Sequence, residues 1–92
     1  MLEMIADLPI DDRPREKLLA HGPKGLSDAE LVGILLGCGT LGKNAMQLAR
    51  ELLVDGFAGL AAREPAQMAR LYGMGTAKSA RVCAAFEIAR RL

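Results

Sequence analysis

The feature that most constrains this chain is Gly73-Met74-Gly75-Thr76, a glycine pair set between two stretches of helical character. Glycine adopts positive φ without steric cost, so two of them one residue apart let a chain reverse sharply between helices. Ahead of the pair, Glu64-Pro65 opens a segment with Met68 and Leu71 three apart on one face. Behind it, a final helix is predicted over Ala77–Arg91. Met74 is expected to turn into the gap between the two helices. Ser79, six residues after the first glycine, stands where a small residue must let them cross closely. Val82 and then Phe86 continue that inward face opposite Met68 and Leu71.

The rest of the chain also reads as short helices. Pro14 suits a first helical position, because its missing N–H has no helical partner there, and a helix follows over Pro14–Ala20 with Leu18 and Leu19 inward. His21-Gly22-Pro23 stops it. Ser27-Asp28-Ala29-Glu30 has the form of a capping box, in which hydroxyl and carboxylate each take the other residue's backbone N–H. Its helix, through Leu31, Val32, Ile34, Leu35 and Leu36, is apolar nearly all round, which predicts a central helix buried on several sides. Asn44 with Gln47 repeats the cap for a helix through Met46, Leu48, Ala49, Leu52 and Leu53 to Gly56, and Phe57–Ala62 reads as one loose turn or short helix. Residues 1–13 lack sustained periodicity and read as an arm whose Ile5, Leu8 and Ile10 pack onto the helices.

No segment alternates polar and apolar residues long enough for a strand. Hydrophobic residues are 51% of the 92 and aromatics only 3%, so the core must come from Leu, Ile, Val, Met and Ala. The expectation is one all-α domain spanning residues 1–92: a compact bundle of about five short helices in a helix-hairpin-helix, SAM-like architecture. Leu36-Gly37-Cys38-Gly39-Thr40 followed by Lys43-Asn44-Ala45 echoes Tyr72-Gly73-Met74-Gly75-Thr76 followed by Lys78-Ser79-Ala80. That echo suggests a pseudo-repeat of two hairpins about an approximate twofold axis.

Charge divides unevenly along the chain. The net value is +1, yet Arg70, Lys78, Arg81, Arg90 and Arg91 face only Glu87 in the last 23 residues, a local charge of +4. Such asymmetry favours an anionic partner for this segment. The hairpin supplies a chemistry for one. Backbone N–H groups of Gly73, Gly75 and Thr76, beside the positive end of a helix dipole, can hold a phosphate oxygen directly or through a bound cation. Lys78 and Arg81 in the first turns of that helix would add charge at the rim. None of these groups reads a base edge, so contact with DNA would be sequence-independent, weak and salt-sensitive. The same turn also serves as a plain structural connector in helical proteins. The first hairpin, with Leu41 and Gly42 extra and more apolar surroundings, reads as mainly structural.

Other chemistry is thin. Cys38, Cys83 and the single His21 have no metal-ligand spacing, and the two cysteines read as reduced thiols. No cofactor, metal or nucleophile–base pair is indicated. The first seven residues hold Glu3 and Asp7 and no base, unlike a signal peptide, and no apolar run has membrane-spanning length, so a soluble cytoplasmic protein is expected.

In order along the chain, Asp11-Asp12-Arg13-Pro14-Arg15-Glu16-Lys17-Leu18-Leu19, His21-Gly22-Pro23, Leu26-Ser27-Asp28-Ala29-Glu30-Leu31, Leu48-Ala49-Arg50-Glu51-Leu52-Leu53 and Gly73-Met74-Gly75-Thr76-Ala77-Lys78 resemble the N-terminal domain of the RadC family. The resemblance covers nearly the whole chain. It implies a helix-hairpin-helix domain joined, in the family, to a C-terminal JAB/MPN domain carrying a Glu, a His-x-His pair and a Ser…Asp motif for zinc. None of those motifs lies in these residues, so a domain fragment without enzymatic activity is expected, and the family name points to DNA repair. Gly37-Cys38-Gly39-Thr40 departs from the Arg-Thr-Gly-Thr expected of relatives, and Thr76 stands where proline is frequent. The function expected is DNA-backbone binding by Gly73, Gly75, Thr76, Lys78 and Arg81. The alternative is a protein-interaction or self-association module, with the C-terminal domain as one possible partner.

Overall fold

A computed structural model describes residues 13–37 and 44–92. The expected arm packing of Ile5, Leu8 and Ile10, and the turn of the first hairpin from Cys38 to Lys43, lie outside the described residues. Six helices follow in order: α1 (Pro14–His21), α2 (Asp28–Leu36), α3 (Ala45–Leu52), α4 (Gly56–Ala61), α5 (Pro65–Ala69) and α6 (Gly75–Arg90), with a 3-10 turn at Pro23–Gly25 between α1 and α2. There is no strand among the described residues, and the fold is all-α.

Local chemistry accounts for most boundaries. Pro14 and Pro65 each occupy the start of a helix, after an extended Arg13 and Glu64 respectively. Both capping boxes are closed. The Ser27 hydroxyl accepts from the Glu30 N–H at 3.1 Å, while Glu30 Oε1 accepts from the Ser27 N–H at 2.9 Å. Asn44 and Gln47 exchange the corresponding bonds at 2.8 and 2.9 Å. Gly22 and Gly37, at φ +81° and +79°, end α1 and α2.

Two boundaries or faces differ from expectation. The α3 helix stops at Leu52 instead of running to Gly56, because the Gly56 N–H turns back to the Leu53 carbonyl at 2.8 Å and Gly56 adopts φ +70°. Phe57–Leu60 thereby joins a separate helix, α4. Leu19 is 77% exposed, whereas Leu18 is half-buried. Adjacent helical residues point about 100° apart, so a packed face that takes Leu18 leaves Leu19 to its side.

The core joins all the later helices. Val32 and Leu36 from α2 meet Leu48, Ala49 and Leu52 from α3, with Leu60, Met68, Met74 and Val82 completing the cluster. The α2 helix is central, packing against α1, α3 and α6. Its buried stripe is Val32, Gly33 and Leu36, with Leu31, Ile34 and Leu35 half-buried. A Cβ on Gly33 would lie 3.3 Å from Met46 Sδ, which shows how closely α3 passes. Phe57 of α4 and Phe86 of α6 meet edge to face, their centroids 6.4 Å apart.

Polar contacts then fix helix to helix. Lys17 of α1 lies 3.2 Å from the Glu30 carboxylate at the start of α2. The Arg81 guanidinium of α6 donates to the Leu36 carbonyl at 2.9 Å. That carbonyl belongs to the last turn of α2, where no intrahelical N–H reaches it. Arg81 therefore caps one helix while belonging to another.

Three expectations follow for stability measurements. The Glu30 carboxyl is held below its ordinary value of 4.5, first by the Ser27 backbone N–H and then by Lys17, with burial opposing them. A carboxylate with a lowered folded pKa stabilises the fold above its unfolded pKa, and that part is lost as pH falls through the folded value. Stability should therefore decline below about pH 4.5, and Glu30→Gln should flatten part of that decline in pH-dependent chemical denaturation. In the same assay Arg81→Met, which strips the Leu36 carbonyl of its donor, should cost about 1–3 kcal/mol. Ser79 is 3% exposed and its hydroxyl has no hydrogen-bond partner among the described residues, so Ser79→Ala should be neutral or stabilising by up to about 1 kcal/mol.

Candidate nucleic-acid interface

The chain leaves α5 through tight turns, with the Arg70 N–H on the Gln67 carbonyl at 3.2 Å and the Leu71 N–H on the Met68 carbonyl at 3.1 Å. The Met74 N–H then returns to the Leu71 carbonyl at 3.1 Å. Gly73 adopts φ +89° and Gly75 φ +69°. A Cβ at Gly75 would meet nothing within 4 Å, so this glycine is required by its dihedral and not by lack of space. Between them Met74 is 5% exposed and joins the core cluster. The expected anchor is in place, as are Val82 and Met68 in the core, with Leu71 and Phe86 packed against it.

The reversal starts α6 at Gly75, two residues earlier than expected. Gly75, Thr76 and Ala77 are exposed and Gly73 is half-buried. No side chain caps this helix start, and its first turn contains no acid. The first-turn amides, which no intrahelical carbonyl can take, thus lie on a surface open to an acceptor. Of the five predicted contact residues, Gly73, Gly75 and Thr76 come together in this turn.

Lys78 and Arg81 occupy different places from the rim assigned to them. Lys78 is only 9% exposed, and its ammonium donates to the Gly73 carbonyl at 2.8 Å. It lies beneath the turn and ties its two ends together. Arg81 remains exposed, with its guanidinium on the neutral Leu36 carbonyl. Among the described residues no carboxylate offsets its charge.

Spacing alone did not reveal these two carbonyl partners. One signal for Lys78 was available: a lysine near a helix N-terminus opposes the dipole and needs a compensating acceptor. For Arg81 the partner lies 45 residues away in sequence, and only the crossing of α6 over α2 brings it near.

The other bases of the segment separate from the hairpin. Glu87 pairs with Arg90 and with Arg91, whose Nε lies 2.9 Å from Oε2, and Arg91 and then Arg90 hold the Glu87 carboxyl below its ordinary range. Arg90 and Arg91 against Glu87 thus contribute only +1 of the local +4, at the far end of α6, which leaves +3 on Arg70, Lys78 and Arg81. An open groove of about 530 Å³ beside this far end is lined by Leu60, Pro65, Met68, Cys83, Phe86 and Arg90, among others, and by no residue of the Gly73–Ala77 turn. Cys83 is a half-buried free thiol there. Among the described residues, no three His, Cys, Asp or Glu side chains gather as metal ligands, and no helix is long and apolar enough to cross a membrane.

Comparison with known proteins places this fold in a family. Residues 5–80 match the family described as UPF0758 N-terminal. A UPF0758 protein of Polaromonas sp. is 50% identical over 90 residues, covering 96% of this chain and 40% of the relative. One from Carboxydothermus hydrogenoformans is 48% identical over 93 residues, covering 99% of this chain and 41% of its own. A third, from Chloroflexus aurantiacus, is 50% identical over 90 residues, covering 96% and 39%. The chain therefore spans about two-fifths of the length of the curated relatives it matches. No solved structure matches it. The chain belongs to the UPF0758 N-terminal family, the RadC-like family that its sequence blocks resemble.

Proposed function

We propose that this domain is a non-catalytic, sequence-independent DNA-backbone-binding module that positions the rest of a RadC-like protein on DNA. The observation that carries this reading is the Gly73–Ala77 turn. It combines two left-handed glycines, exposed residues at the start of a sixteen-residue helix, and the absence of any side-chain cap or acid in the first turn. In this reading the amides of Gly73, Gly75 and Thr76 take a phosphate oxygen. Arg81 adds an exposed charge one turn further along, and Lys78 supports the turn from beneath. Amides and a lone guanidinium contact every nucleotide alike, so duplexes of different sequence should bind equally.

The protein-interaction alternative drew on the apolar run Leu31–Leu36 and on the Ile5, Leu8 and Ile10 arm, which lies outside the described residues. Every residue of that run is buried or half-buried in the fold, so it offers no open apolar face of its own. A hydrolytic role belongs, in this reading, to the remaining three-fifths or so of the relatives' length.

The test uses Thr76→Asp. An acid in the first turn complements the helix dipole, so this variant should keep or raise stability by about 0.3–1 kcal/mol while repelling phosphate. Fluorescence anisotropy with two unrelated duplexes should give a Kd of about 10⁻⁴–10⁻⁶ M at low salt. Affinity should fall with salt at a slope of about −0.9 per phosphate neutralised, and Thr76→Asp should abolish binding. Absence of binding at low salt, or unchanged binding by a folded Thr76→Asp variant, would contradict the proposal.

A further inference from the structure

The Gly73 carbonyl poses a question that the phosphate reading leaves open: whether an anion at this turn is met by the protein alone or through a recruited metal ion. Both routes suit a turn of this shape. Gly73 is half-buried, and a carbonyl turned from water needs a partner, because leaving it unsatisfied is destabilising. A turn carbonyl deprived of a helical N–H is also an ordinary ligand for a hard monovalent cation. Either a cation from solvent or a donor from the chain must serve it.

The chain provides the donor. Lys78 extends from the first full turn of α6 back under the hairpin, and its ammonium stands 2.8 Å from the Gly73 oxygen. An ammonium is a compact unit charge with three N–H donors and no acceptor, close to a potassium ion in what it offers a carbonyl. Its position is not one that the helix itself favours. A lysine near a helix N-terminus opposes the dipole, and at 9% exposure it has surrendered most of its hydration. Contact with the turn carbonyl offsets part of these costs.

We propose that the Lys78 ammonium occupies, at the Gly73 carbonyl, the place that a free monovalent cation would otherwise take, so that the hairpin presents its amides to a phosphate without a bound metal ion. The positive charge beneath the turn is then built in, and no ion has to be captured when an anion arrives. The consequence for DNA rests on the phosphate reading above, but occupancy of the carbonyl does not. DNA affinity should depend on ionic strength and not on which monovalent cation supplies it.

The test compares potassium chloride, sodium chloride and tetramethylammonium chloride at equal ionic strength, the last cation being too large and too apolar to coordinate a turn carbonyl. In amide spectra of the ¹⁵N-labelled chain without DNA, Gly73 to Thr76 should keep the same resonance positions in all three salts. In Lys78→Met, potassium and sodium should shift these resonances saturably and tetramethylammonium should not. Saturable shifts by potassium or sodium in the unsubstituted chain would overturn the proposal, as would their absence in a folded Lys78→Met variant. If that variant does not fold, Lys78→Ala, which removes the charge and every side-chain donor, takes its place under the same criteria. Duplex affinity should also be equal in the three salts, and a several-fold preference for potassium or sodium would contradict the inference. Absence of DNA binding in every salt would count against the function proposed above, while the amide shifts would still decide who occupies the carbonyl.

Discussion

The fold depends on a reversal between α5 and α6 that takes the five residues from Arg70 to Met74. Gly73 and Gly75 supply the two left-handed dihedrals, and Met74 between them is driven into the cluster formed by Val32, Leu36, Leu48 and their neighbours. Burial of one such side chain contributes about 1.5–3 kcal/mol, comparable to a large part of a small domain's net stability. Once Met74 is inside, α6 has to leave the turn along α5 and cross α2. The close passage at Ser79 and the burial of Val82 follow from that direction. Exposed amides at Gly75 and Thr76 are the other face of the same geometry, since a turn that buries its central side chain directs the next helix start outward.

A second theme is the use of long basic side chains as helix caps between elements. Lys78 ends on the Gly73 carbonyl, Arg81 on the Leu36 carbonyl, and Lys17 on the carboxylate that caps α2. With aromatics at 3%, this core gains little from aromatic side chains. Serving a helix-end carbonyl (Leu36), a turn carbonyl (Gly73) and a capping carboxylate (Glu30) with these side chains compensates for some of that deficit. It also keeps cationic groups close to the turn, where a phosphate would meet them. Lys78 supports the turn from beneath, a structural place that spacing alone does not separate from one at the rim.

How much was legible in the sequence varied with the range of the interaction. Ser27/Glu30, Asn44/Gln47, Pro14 and Pro65 act within one turn, and each set the helix start expected of it. The Gly73–Gly75 reversal, with Met74, Met68 and Val82 inside, was also legible because the small–large pattern is local. Leu19 was misplaced because two adjacent leucines leave the choice of face to the tertiary neighbour. The end of α3 was missed because the turn at Leu53–Gly56 competes with a run of good helix formers. Partners for Lys78 and Arg81 were hidden for different reasons. The lysine's acceptor is a main-chain oxygen that no residue type reveals, and the arginine's lies 45 residues away.

The central claim is that backbone amides of the second hairpin hold a DNA phosphate. The most direct measurement is an amide-resolved titration of the ¹⁵N-labelled chain with a short duplex at low salt. The largest shifts should fall at Gly73, Gly75, Thr76 and Ala77, with smaller ones at the Arg81 side chain, and all of them should reverse when salt is raised. Shifts confined to the groove around Leu60, Cys83 and Phe86, or to the ends of the chain with the hairpin amides unmoved, would contradict it.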